Sequence, residues 1–189
     1  MIIGITGSFG SGKTTIANMF RKYGFEVINA DKLYHGIYDR NEALRNKIKK
    51  EFGTLDRNKI KKIVFNDSKK LKKLNEITHP IIIKEIKNKI NEIKKNNEDS
   101  NIALDVPLLI EAKMQRMADK IIVVKCNKKI QFERLLKKGK HTRKEIENII
   151  SSQMPLNEKL KHADFIIDNS SINAVEKQIA QIIGSLQKP

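Results

Sequence analysis

Ile2-Ile3-Gly4-Ile5-Thr6-Gly7-Ser8-Phe9-Gly10-Ser11-Gly12-Lys13-Thr14 opens the chain and decides how the rest is read. Ile2 to Thr6 form a short apolar run, and residues 7 to 14 then satisfy G-x-x-x-x-G-K-[ST] in full. Glycines let such a loop curl until consecutive N–H groups point inward at a phosphate, and the helix that follows adds the positive end of its dipole. Lys13 is placed to reach the β- and γ-phosphates, and the Thr14 hydroxyl to hold Mg²⁺. The context agrees, because the loop follows an apolar strand and opens a helical pattern with Ile16, Met19, Phe20 and Tyr23 on one face. Gly24 stands where that helix would stop, and residues 25 to 29 read as a second strand, so the unit is a parallel βαβ.

Working outward, residues 32 to 97 are almost wholly helical in pattern, with interruptions expected at Phe52-Gly53 and His79-Pro80. Ile82, Ile86, Ile90 and Ile93 form an inward stripe. Three further strands are expected at 102–105, 120–125 and 164–168, with helical segments near 127–138, 142–153 and 155–162 between the last two. Residues 172–186 close the chain as an amphipathic helix with Ile172, Val175, Ile179, Ile182 and Ile183 inward. Five strands alternating with helices predict an α/β fold, an open parallel sheet covered on both faces.

The chain has 189 residues, with 38 Lys+Arg against 22 Asp+Glu and a formal charge of +16. That length predicts one domain. No apolar stretch approaches the roughly 20 residues of a bilayer span, and Met1 leads straight into a strand, so a cytoplasmic protein without a membrane partner is expected. Cys126 is the single cysteine, which excludes an internal disulfide and argues for a small packed residue. The positive excess is concentrated: 17 basic against 9 acidic residues between 41 and 100, and 11 against 4 between 125 and 162. Anionic partners suit it, whether nucleic acid, acidic lipid or a phosphate-rich small molecule. Aromatic residues make up only 5% and no nucleic-acid module is recognisable, so nucleic acid is not an expected partner.

A phosphate-binding loop alone does not choose among a kinase, a switch GTPase and a mechanical ATPase. The nearest candidate for a guanine reader, Asn127-Lys128-Lys129-Ile130, lacks the aspartate, and a translocating ATPase needs more chain. A small-molecule kinase fits best. Asp31, after the second strand, is placed to accept the proton of a substrate hydroxyl, or alternatively to cap a helix starting at Lys32. Asp105 ends the run Ile102-Ala103-Leu104, the position of an acidic partner for Mg²⁺, or alternatively a turn aspartate before Pro107. Residues 134–143 read as a basic flap, with Arg134 on the face of Ile130 and so directed at the site. His79 and Arg57, the latter beside the turn at Asp56, are further candidates.

Taken together, the segments resemble the dephospho-CoA kinase family from Ile3 to about Ser170. The resemblance is carried by residues 4–15, Ile28-Asn29-Ala30-Asp31, Phe52-Gly53, Leu55-Asp56-Arg57, His79-Pro80 and Leu104 to Glu111, then by Gln153, Lys159 and Ala163 to Asn169. It implies phosphorylation of the ribose 3′-hydroxyl of dephospho-coenzyme A by ATP with Mg²⁺, on a three-layer P-loop kinase fold like that of nucleoside monophosphate kinases. Under it Asp31 is the catalytic base, and Gly10, Ser11, Gly12, Lys13, Thr14 and Thr15 form the ATP loop. Arg57, His79, Pro107 and Leu108 shape the acceptor pocket, Arg134 belongs to the lid side, Asn169 lies near the adenine, and Thr14 with Asp105 serves the metal. The implied division is a core of about 1–31, 101–130 and 163–189, a helical acceptor-binding segment of 32–100 and a lid of 131–155. The chain departs from the family pattern at Asn29, where an aspartate is usual, and at Lys138, where a second arginine is common. The first weakens a metal role at 29, and the second removes a bidentate fork. A monomer or small homo-oligomer is expected. A kinase for another nucleotide or nucleoside, or a basic nucleic-acid-binding ATPase, are the competing readings.

Overall fold

The structure, a computed structural model, describes residues 1–187, together with all their side chains except that of Ile172. The inward placement expected of Ile172 therefore lies outside the described residues, as do Lys188 and Pro189. Five strands, β1 (Ile2–Gly7), β2 (Phe25–Asn29), β3 (Asn101–Asp105), β4 (Lys120–Lys125) and β5 (Phe165–Asp168), pair in the order β2-β3-β1-β4-β5. All four pairings are parallel. Parallel strands need crossovers, and these place helices on both faces of the sheet.

On one face Ile3, Ile5, Ile122, Val124 and Ile167 pack against Ile16 and Ala17 of α1 (Lys13–Met19) and against Val175, Ile179 and Ile182 of α9 (Ile172–Leu186). On the other, Ile28, Leu104 and Val123 meet Ile86 of α5 (Ser68–Asn96) and Leu109. Gly4 is required there, since a Cβ at that position would lie 2.8 Å from Leu109 Cδ1. A third cluster, Tyr38, Leu44, Ile48, Phe52, Ile60 and Val64, gives the helical region its own core from α2 (Ala30–Arg40), α3 (Glu42–Phe52) and α4 (Arg57–Asn66) against α5. Three short helices, α6 (Lys128–Lys137), α7 (Arg143–Ser151) and α8 (Leu156–Leu160), connect β4 to β5.

Two expectations are corrected. Tyr23 is 40% exposed, because α1 stops at Met19 and a 3₁₀ turn over Phe20–Tyr23 rotates it off the buried face before Gly24 closes the turn. His79-Pro80 does not interrupt the chain either, as both lie inside the 29-residue α5. Pro80 forfeits one backbone bond, yet Thr78 on one side and Ile86 on the other are buried, so packing on both flanks holds the helix together. The interruption expected at Phe52-Gly53 is present, with Gly53 at φ 70° ending α3, and the side chains of Asn41, Asp56 and Asp67 cap the starts of α3, α4 and α5. Among the described residues no helix is long and apolar enough to cross a membrane.

Candidate active site

The carboxyl ends of β1, β2 and β3 deliver the loop, Asn29 and Asp105 to one edge of the sheet, where open α/β sheets bind ligands. In the loop the N–H groups of Gly10 and Gly12 find no acceptor among the described residues, and the first N–H groups of α1 have none within the helix. Gly12 stands at φ 92°, and a Cβ there would lie 2.0 Å from Asn169 Nδ2. That amide donates to the Ser11 carbonyl at 2.9 Å, so Asn169, 5% exposed, braces the loop from behind. Lys13 is buried, with Nζ donating to the Ser8 carbonyl at 2.9 Å. Burial pushes its ammonium down to about 8, and the nearby Asp105 charge opposes that shift.

Asp105 is also buried. Its Oδ2 accepts from Thr14 Oγ1 at 2.7 Å and from Asn29 Nδ2, a pairing set by the register that puts Asn29 beside Asp105. Its Oδ1 is buried with no partner, as is Ser11 Oγ. Asn29 also caps α2, accepting from the Lys32 N–H at 2.7 Å. The capping role open to Asp31 therefore belongs to Asn29, and α2 starts at Ala30 rather than Lys32. Asp31 stands in the first turn of α2, exposed as a residue but with its carboxyl partly desolvated by its surroundings. That desolvation raises its pKa, the Asp105 charge raises it further, and Lys13 pulls the other way.

Mg²⁺ fits this arrangement. A hydroxyl and a carboxylate already touch, and the second carboxylate oxygen is buried without a donor, which suits a hard cation that keeps waters and phosphate oxygens as its other ligands. Among the described residues no group of three His, Cys, Asp or Glu side chains is placed to cage a metal, so such a cation would depend on bound phosphate.

The other candidates occupy three places. Arg57 lies in the helical region, within 2.9 Å of His35 Nδ1, paired with Asp39, and stacked 4.5 Å over the Tyr38 ring. His79 is half-buried, and burial lowers its pKa against a smaller opposing pull from Glu111. The Pro107 carbonyl accepts from Thr6 Oγ1 at 3.0 Å and from Lys159 Nζ at 2.9 Å, and Leu108 beside it is half-buried. Arg134 donates to the Asn169 carbonyl at 2.7 Å, behind the loop.

Sequence reasoning gives no site role to Gln131, Gln153, Glu111 or Lys159. Gln131 donates to Ser8 Oγ at 3.0 Å and to the Phe9 carbonyl, Gln153 accepts from the Phe9 N–H at 2.9 Å, and the Phe9 ring meets His141 edge-on at 5.6 Å. The loop is thus held from α6, from the α7–α8 connection and from the basic segment together. Gln153 and Lys159 stand out in the sequence only as part of the family resemblance, since polar residues on short helices otherwise look solvated.

A profile of the CoaE dephospho-CoA kinase family matches residues 1–174. A dephospho-CoA kinase of Carboxydothermus hydrogenoformans is 40% identical over 99% of this chain and 93% of its own, and that of Aquifex aeolicus 39% over 98% and 97%. Among solved structures, the Thermus thermophilus protein TT1252 superposes with a TM-score of 0.83 at 26% identity, covering 100% of this chain and 98% of that one. The Campylobacter jejuni dephospho-CoA kinase gives 0.68 at 28%, over 98% and 96%. A Bacteroides thetaiotaomicron shikimate kinase, at 0.52 and 15%, covering 100% and 99%, shares the P-loop kinase fold. With the profile covering most of the sequence and relatives near 40% identity matching along almost all of it, the chain belongs to the dephospho-CoA kinase family, the phosphotransferases that use ATP to phosphorylate dephospho-CoA in coenzyme A biosynthesis.

Proposed function

We propose that the transfer in this chain is in-line, from the γ-phosphate of ATP to the ribose 3′-hydroxyl of dephospho-coenzyme A, with Asp31 as the base. The observation that carries this reading is the convergence of Lys13, Thr14, Asp105 and Asp31 at the ends of three adjacent parallel strands. The unpaired N–H groups of Gly10, Gly12 and the first turn of α1 receive the β- and γ-phosphates, and Lys13 exchanges the Ser8 carbonyl for phosphate oxygens. Thr14 and Asp105 hold Mg²⁺, which when bound neutralises charge on the phosphates. Asp31 accepts the hydroxyl proton and aligns the oxygen for attack; a carboxyl held above its ordinary range is a better match to that task near neutral pH than a solvated one.

Arg57, His79, Pro107 and Leu108 shape the acceptor pocket on the side of the helical segment 32–100, and segment 131–155 closes over ATP to exclude water. Arg134 and Asn169 sit together at the rear of the phosphate loop, from where Asn169 borders the adenine and Arg134 holds it in place. Both substrates are polyanions, which accounts for part of the excess positive charge through steering. The enzyme acts in the cytoplasm as a monomer or small homo-oligomer, with no nucleic-acid or membrane partner.

The test compares ADP release from ATP and Mg²⁺ with dephospho-coenzyme A, adenosine, AMP and an oligonucleotide, and locates the new phosphate on the product. Turnover with dephospho-coenzyme A and a 3′-phosphate is expected. Stimulation by oligonucleotide alone would overturn the reading.

A further inference from the structure

Lys159 in α8 is 0% exposed although its helix has only five residues and turns Leu156, Asn157 and Glu158 partly or wholly to water. Its ammonium lies 2.8 Å from Glu111 Oε1 and 2.9 Å from the Pro107 carbonyl. Glu111 Oε1 also accepts from the Met154 N–H at 3.1 Å, next to Gln153, while Oε2 is buried without a partner. The same Pro107 carbonyl accepts from Thr6, the residue before the first glycine of the phosphate loop. One ammonium therefore joins the loop after β3, the root of the basic segment and, through a shared carbonyl, the strand that carries the phosphate loop.

Stability alone gives no reason for this pair. Removing two charges from water costs several kcal/mol per ion, and apolar residues of similar volume commonly replace such pairs without loss. We infer that Lys159 and Glu111 are positioning residues for the acceptor: they fix Pro107 and Leu108 against the phosphate loop and so set where the accepting ribose stands relative to the γ-phosphate. This rests on the assignment of Pro107 and Leu108 to the acceptor pocket. Misplacement by about 1 Å is enough to cost on the order of a hundredfold in rate, so a rigid tie between the two half-sites has a direct kinetic effect.

The experiment uses Lys159→Met, Glu111→Met, the double variant and the near-isosteric Glu111→Gln in the full-length chain, with Leu108→Ala and His79→Ala in parallel. Each single Met variant leaves a buried charge unpaired and unfolds at lower temperature, whereas the double variant recovers most of the loss. In the double variant and in Glu111→Gln, kcat/KM for dephospho-coenzyme A falls roughly tenfold to a hundredfold with the KM for ATP unchanged. Wild-type kcat/KM for the acceptor in either of them, once folded, makes the pair merely structural and overturns the inference. Should the double variant not fold, Glu111→Gln alone decides. Unchanged acceptor KM in both Leu108→Ala and His79→Ala removes the pocket assignment itself, whereas raised KM there beside wild-type values in the pair variants removes only the role of Lys159 and Glu111.

Discussion

Thr14 Oγ1 donates to Asp105 Oδ2 at 2.7 Å, and the other oxygen of that buried carboxylate has no partner. A buried unpaired oxygen is costly unless something else satisfies it, and the phosphate-bound cation proposed above, with its waters, would do so. Asp105→Asn keeps the shape and the Thr14 contact but removes the charge. We expect kcat with Mg²⁺ and ATP to fall by about a hundredfold or more. A Mg²⁺ titration is the check, and a variant with an unaltered Mg²⁺ dependence and rate would remove Asp105 from the metal site.

Lys13 supplies a pH dependence. Its ammonium is lowered to about 8, chiefly by burial, so in the free enzyme it loses its proton as pH rises through that value. The kcat/KM profile for ATP should carry an alkaline limb near pH 8, while the kcat profile extends higher because bound phosphates restore the proton. Lys13→Ala should lower the rate by about a hundredfold or more and abolish the limb. An active Lys13→Ala variant would undo the role given to the loop.

Two glycines with left-handed backbone allow a controlled comparison. Gly24, at φ 79°, has nothing within 4 Å of where an alanine methyl group would stand, so Gly24→Ala should cost only the backbone term of about 1–2 kcal/mol. Gly12, at φ 92°, would set that methyl 2.0 Å from Asn169 Nδ2, so Gly12→Ala should cost more and also break the bond to Ser11. Urea unfolding of the two variants tests the order, and equal losses would show that Asn169 does not buttress the loop.

Asp31 should trade stability for activity. Its pKa is raised in the folded protein, so the native state holds the proton more tightly and stability falls as pH rises from the ordinary carboxylate range through the raised value. At neutral pH the charged form is the crowded one. Asp31→Asn should therefore melt at or above the wild-type temperature at pH 7, with the gap closing as pH falls below the ordinary range. A lower melting temperature at pH 7 would mean that Asp31 is held by interactions that favour its charge.

The strand, loop and helix at the start of the chain are legible in the sequence because each depends on local pattern: an apolar run, glycines at fixed spacing and a helical period. Asn29 reads along the chain as a lost carboxylate, whereas it caps α2 and donates to Asp105. That second role depends on the β2–β3 register, which spacing along the chain does not reveal. Pro80 reads as a break because its local cost is real, but the buried residues flanking it along α5 outweigh one missing hydrogen bond. Lys159 is illegible as a site residue for the opposite reason. A lysine on a short amphipathic helix ordinarily faces water, and only the fold brings Glu111 and the Pro107 carbonyl to meet it.

At the centre of the proposed mechanism, Asp31 acts on the acceptor hydroxyl after both substrates are bound. The most direct measurement is single-turnover phosphoryl transfer by Asp31→Asn beside an independent titration of ATP binding. We expect the transfer rate to fall by about a hundredfold or more while ATP affinity stays at the wild-type level. Transfer near the wild-type rate, or a loss explained by weaker ATP binding, would contradict that role.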